Sequence, residues 1–435
     1  MVKHAKRACR FLFVFFVVVT VTSICPAYSI LTHEQIVDLL WKDQIQPLLL
    51  KRFPQTTEEE LRKAHAYAYA GCMIQDMGYY PFGNKNFSDM VHYVHSGDFV
   101  VSLIQESSDV NEFAFALGAL AHYASDNSGH PTINRMVAIE FPKLRRKYGD
   151  TITYAQDPKA HIQTEFGFDM VQVAKNRYTS DQYHDFIGFE VSKPVMERAF
   201  LDTYDIKLED EFSNVDLAIG TFRRAVSIVI PEMTRVALLS RRDEIVKETP
   251  NFNKKKFLYY LSRAQYQKEW GSVYRKPGIG TRILAFFLKI IPKVGPFRAA
   301  KIKIPTTQTE DMYIKSVNTT VENYKSLLSQ LNAKQLSLPN TDFDTGKETR
   351  AGEYVLSDKT YEQWLDKLAQ HNFDQVTPQV RDNILRFYSD LKAPIHTKRN
   401  KKAWAKLLAE LEKLKAVTPQ PAATPSAKPV TAPQQ

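Results

Sequence analysis

Cysteine is nearly absent from this chain: Cys9, Cys25 and Cys72 are the only three in 435 residues. A disulfide-stapled fold is therefore excluded as an organising principle. The N-terminal apolar run, Phe11 to Val19, falls short of the ~20 residues that cross a bilayer. Sustained apolar–polar alternation is missing from the first half, which argues against a strand-built body, and no internal repeat is found. Charge of one sign is also not dominant. Lys3, Lys6, Arg7 and Arg10 lie in an N-terminal stretch without a single acid, so they alone account for four of the net +10. The remaining surplus suits an anionic partner such as phosphate groups or a membrane surface. It is too small for dedicated duplex nucleic-acid binding.

An apolar content of 44% with 12% aromatics supplies a sizeable core. The first 27 residues read as a secretory signal. A basic segment to Arg10 precedes the apolar run, and Cys25-Pro26-Ala27 offers a cut after Ala27. A membrane anchor or a lipoprotein cut before Cys25 are the alternatives; the first is too short and Ile24 is bulky for the second. Cleavage after Ala27 gives a secreted or cell-envelope protein that keeps only Cys72. A secreted chain without disulfides needs another staple, and bound metal is one, because its binding energy is folding energy.

Residues 28–245 read as helix-rich. Thr57 followed by Glu58, Glu59 and Glu60 is a capped helix start. Asn111 to Tyr123 is apolar on most sides, which predicts a buried central helix. Tyr79 to Asn84 is a turn by its Pro81 and Gly83. Residues 246–416 are more basic and form a helical extension with short amphipathic helices, Ala403 to Leu414 among them. Residues 417–435 are a Pro/Ala/Thr-rich tail expected to be disordered. The apolar, cation-studded stretch 281–298 is read either as a membrane-surface contact or as a buried helix ending at Pro292.

The chemistry is concentrated in forty-odd residues. His122/Asp126 and His161/Glu165 share an i,i+4 spacing that stacks two side chains on one helix face, and His130 lies between the pairs. An imidazole beside a carboxylate is half a zinc site. Burying so many ionisable groups without a cation would be costly. Upstream, His33, Asp76 and His92 add candidate ligands. His95 stands three positions after His92 and is weighed as a hydrogen-bonding neighbour. His65 reads as a packed core histidine, and His184, His371 and His396 as surface or structural ones.

The order His33, Asp76, His92, His122-x-x-x-Asp126, His130, His161-x-x-x-Glu165 resembles the bacterial zinc-dependent phospholipase C family, whose fold and metal site are shared with the fungal zinc single-strand nucleases. The resemblance covers about residues 28 to 240. It implies an all-α, multi-helix bundle holding up to three zinc ions. Asp76, His92, His122 and Asp126 would hold the first, with Asp76 also orienting or deprotonating the attacking water. His130, His161 and Glu165 would hold the second. The third would take His33, the bridging Asp126 carboxylate, and the amine and carbonyl of Tyr28 once the cut after Ala27 frees them. The implied activity is that of a phosphodiesterase acting on phospholipid or another phosphodiester. A single-strand nuclease or 3′-nucleotidase, with Tyr79, Tyr80 and Phe82 as base-stacking platforms, and a non-catalytic zinc-stapled envelope protein are the rivals. Three departures stand out. Tyr28 replaces the usual Trp, and no counterpart of the choline-holding residues is found. The interval from Asp126 to His130 is short, so Asn127-Ser128-Gly129 reads as a tight loop able to displace the second ion.

Overall fold

A computed structural model of the chain describes residues 29–174, 188–230 and 303–419. The expected signal segment, Tyr28, His184, the 281–298 stretch and nearly all of the tail lie outside these residues. Helix α1 (Ile30–Leu40) runs through a wide turn, Trp41–Ile45, into α2 (Gln46–Arg52). Then come α3 (Glu58–Gly71), a 3₁₀ segment Ile74–Tyr79, α4 (Lys85–Tyr93), α5 (Ser96–Glu106), α6 (Val110–Glu140), α7 (Pro142–Tyr148) and α8 (Pro158–Ala174). After them follow α9 (Lys193–Tyr204), α10 (Leu208–Glu211), α11 (Val215–Arg224) and α12 (Thr307–Asn332). A minimal antiparallel hairpin, β1 (Thr341–Asp342) and β2 (Lys347–Glu348), precedes α13 (Val355–Gln370), α14 (Pro378–Phe387) and α15 (Lys401–Ala416). The body is all-α, as the sequence implies. No helix among the described residues is long and apolar enough to cross a membrane.

Local chemistry sets the helix starts. Thr57 accepts the Glu60 backbone N–H while the Glu60 carboxylate accepts the Thr57 N–H at 2.8 Å, a reciprocal cap. Asp109 accepts from the N–H groups of Asn111 and Glu112 at 2.8 and 2.9 Å and starts α6. That helix is the centre of the molecule and is buried on nearly every side between Phe113 and Ala138. It crosses α3 at glycines on both sides. A Cβ on Gly71 would sit 2.0 Å from the Phe115 carbonyl oxygen, and one on Gly118 would sit 2.1 Å from that of Ala68. Only hydrogen side chains let the two backbones touch there.

The central helix corrects the reading of Asn127-Ser128-Gly129 as a loop. Helix α6 continues without interruption through Gly129 and Pro131 to Glu140. Proline costs an interior helix roughly 3 kcal/mol, but packing along a buried 31-residue rod outweighs that local penalty. The same apolar core extends from Ile30 to Leu414, so α12 to α15 pack on the N-terminal helices. Helix α12 lies along α6, with the Tyr324 hydroxyl donating to the Leu117 carbonyl at 2.9 Å. On α13, the Trp364 indole donates to the Tyr204 carbonyl at 3.0 Å.

Candidate metal centre

The unbroken helix puts His122, Asp126 and His130 on one stripe, each about 6 Å further along the axis. Facing that stripe are His33 from α1, Asp76 from the 3₁₀ segment, His92 from α4, and His161 and Glu165 from α8. Three groups of donor atoms converge, each within 4.8 Å: His33, His122 and Asp126; Asp76, His92 and His122; His130, His161 and Glu165. All eight residues expected from the sequence and lying in the described regions are thus brought together. His95 is not among them: its Nδ1 bonds Asp98 at 2.5 Å and its ring packs on Trp364. His65 is a core histidine, stacked on Trp41 and bonded to Asp38 at 2.9 Å.

The spacing of these atoms is informative. Asp126 Oδ1 lies 3.5 Å from His33 Nε2. Its Oδ2 lies 3.5 Å from His92, 3.1 Å from His122 and 3.6 Å from His130, at Nε2 in each case. Asp76 Oδ1 is 3.4 Å from His92 Nε2, and Glu165 Oε1 is 3.4 Å from His161 Nδ1. A charged hydrogen bond would be about 2.7–2.9 Å. Two ligands on one tetrahedral zinc, each bonded at roughly 2.0–2.2 Å, stand about 3.3–3.5 Å apart. The donors are therefore spaced as the edges of coordination polyhedra.

Hydrogen bonds set which ring nitrogen faces inward. His92 Nδ1 donates to the Ser88 carbonyl at 2.7 Å, His122 Nδ1 to the Cys72 carbonyl at 2.9 Å, and His161 Nε2 to the Ile152 carbonyl at 2.7 Å. The opposite nitrogen of each ring is turned toward the carboxylates, the orientation that metal-bound imidazoles require once it is free of its proton. The Gly71–Gly118 crossing is what brings Cys72 close enough to orient His122.

Every one of these side chains is buried, Glu165 showing 1% exposure and the other seven none. Both oxygens of Asp76 and of Asp126, Nε2 of His92 and His122, both nitrogens of His130 and Oε2 of Glu165 make no hydrogen bond. Buried polar atoms in native proteins are satisfied, so this set fits a cluster of cations. Protonation reports the same tension. Burial opposes charge on His92, yet Asp126 and Asp76 outweigh it and raise its pKa to about 10. For His130, burial is outweighed by Asp344, Asp126 and Glu165, which raise the pKa to about 9. Burial and then His130 lower His161 to about 4. Burial would raise Asp126, but His122, His130 and His92 hold it well below the ordinary carboxylate value. Burial raises Asp76 and pushes Glu165 well above it.

One residue at the centre was not anticipated. Asp344, from the hairpin between β1 and β2, is fully buried with Oδ1 3.4 Å from His130 Nε2. The local signal was a Thr341-Asp-Phe-Asp-Thr-Gly346 turn, two acids beside a glycine. Nothing in that pattern announces a distant metal site.

Fold and donor set together define a helical protein with buried donor groups that could hold divalent metal in its interior. Residues 32–214 match the family model described as zinc dependent phospholipase C. That segment of the chain is similar to the zinc-dependent phospholipase C family. No curated protein and no solved structure matches the chain. The matched segment contains all eight converging residues and leaves Asp344 outside.

Proposed function

We propose that this protein is a secreted zinc-dependent phosphodiesterase of phospholipase C type, releasing diacylglycerol and a phosphorylated head group. The observation that carries the reading is the Asp126 carboxylate, whose two oxygens face four imidazoles at 3.1–3.6 Å, as a bridge between ions would. Asp76, His92, His122 and Asp126 would hold one ion, and His130, His161 and Glu165 a second. His33, Asp126 and the freed amine of Tyr28 would hold a third. Bound zinc would polarise the phosphoryl oxygens and acidify a water near neutral pH. Asp76 takes the role of proton acceptor, supported by a carboxyl that burial makes more basic, against the pull of His92 and His122. The water oxygen bonds to phosphorus, the bond to the diacylglycerol oxygen breaks, and that oxygen takes up a proton.

The nuclease reading loses support at its stacking platforms. Tyr79 and Tyr80 are 5% and 3% exposed; Tyr80 packs on Phe222, and the Tyr79 hydroxyl donates to Asp89. Of the three aromatics only Phe82, at 55%, is open to a base. The zinc-stapled, non-catalytic reading draws on a separate observation, the complete burial of the donors. The test runs purified, zinc-loaded protein in parallel on phospholipid vesicles of several head groups and on single-stranded DNA. Its N-terminus is identified by mass spectrometry and its metal content measured. Phospholipid cleavage lost on Asp76→Asn is expected; zinc-loaded protein that cleaves no phospholipid would overturn the assignment. A variant carrying one extra residue before Tyr28 is expected to bind less zinc.

A further inference from the structure

We propose that Asp344 is the fourth protein ligand of the ion held by His130, His161 and Glu165, so that a loop outside the family segment closes that coordination sphere. The inference rests on the zinc reading above. Asp344 Oδ1 stands 3.4 Å from His130 Nε2, the same edge length found between the other donors, and makes no hydrogen bond although fully buried. A charge-assisted bond to a protonated His130 would be several tenths of an ångström shorter. The other oxygen is supported separately: Oδ2 accepts from the hydroxyls of Tyr93, at 3.0 Å, and Tyr354. One free oxygen facing the imidazole and one held by donors is the division expected of a monodentate metal carboxylate.

The loop is constructed to deliver that oxygen. Asn134, one helical turn beyond His130 on α6, donates to the Asp344 carbonyl at 2.7 Å. The Phe343 N–H donates to the carbonyl of His92 at 3.2 Å, and its ring packs edge-on against the His92 imidazole. Pro131 has no N–H to give the Asn127 carbonyl, and Gly346 packs onto that carbonyl with φ +67°; a Cβ there would lie 2.7 Å from the oxygen. The break in the α6 ladder, the glycine and the acid therefore belong to one docking contact.

Zinc sites with four protein ligands are closed, whereas catalytic ones keep a position for water or substrate. With Asp344 in place, a substrate phosphate reaches this ion only by displacing the carboxylate. The C-terminal segment thus sets access to the second ion.

The test compares wild type, Asp344→Asn and Asp344→Glu in the full chain, with cobalt(II) and zinc titrations against a chelator. Asp344→Asn keeps an oxygen able to accept from the two tyrosines, so the hairpin can remain docked. The expected result is one ion weakened at least tenfold, with lower visible absorption of the cobalt protein as water enters. Inorganic phosphate should perturb that spectrum only in the variant, and Asp344→Glu should restore part of it. Weaker binding with an unchanged spectrum would make Asp344 a support for its neighbours and overturn the ligand claim, as would unchanged affinity. Wild type that takes up no metal would instead sink the zinc reading itself. If Asp344→Asn fails to fold, Tyr354→Phe removes one donor to Oδ2 while leaving Oδ1 present; a smaller shift in the same spectrum is then required.

Discussion

Replacing Asp126 by Asn should remove most of the stability that zinc confers. The side chain keeps its shape, but only one oxygen remains, and it cannot serve both the Oδ1 position 3.5 Å from His33 and the Oδ2 position shared by His92, His122 and His130. Losing even a group that supports a ligand costs about 10–100-fold in metal affinity. Taking 100-fold for each of two ions gives a working estimate. At a free zinc concentration 100 times its Kd, each ion stabilises the native state by about 2.7 kcal/mol. The variant, at the same zinc concentration, would sit near its Kd and gain only about 0.4 kcal/mol per ion. The difference over two ions is about 4–5 kcal/mol, on the order of 5–10 °C in melting temperature for a chain of this size. Thermal melts with zinc and with chelator, alongside elemental analysis, read this directly. A zinc-dependent shift and metal content equal to wild type would refute the bridging role, whatever the variant's activity.

Zinc binding should release protons. His92 and His130, with pKa values of about 10 and about 9 before metal enters, hold their protons at neutral pH, whereas zinc takes only the neutral imidazole. Zinc affinity should therefore rise with pH up to that range, and calorimetry in two buffers of different ionisation enthalpy should give different apparent heats; identical heats would contradict the assignment. His161→Ala should bind one zinc less tightly and lose turnover while keeping its helical circular dichroism. The cost to the fold is mainly the unpaired Ile152 carbonyl, about 1–3 kcal/mol. Gly346→Ala combines a positive φ with a 2.7 Å approach to the Asn127 carbonyl. It should loosen the hairpin and weaken the same ion as Asp344→Asn; a variant with wild-type zinc affinity would separate the hairpin from the metal site.

Much of this molecule could be read from short-range pattern. The all-α architecture, the Thr57 cap, the helix near Ala403 and the donors His122, Asp126, His130, His161 and Glu165 follow from short-range spacing, which helix geometry converts into shared faces without any tertiary information; His33, Asp76 and His92 joined them only through the family resemblance. The His122, Asp126 and His130 set is of this kind, although Gly129 and Pro131 disguised its last member. Their local preference is against a helix; burial of the surrounding rod reversed it. Asp344 is of another kind. It bonds Asn134 across 210 positions of chain, and its neighbours in sequence describe only a turn. Periodicity fixes which face of its own element a side chain takes, but not which distant element that face will meet. That choice belongs to the packing of α12 and the hairpin on α6, where a glycine, a proline and two tyrosines decide that one carboxylate oxygen is left facing the imidazoles.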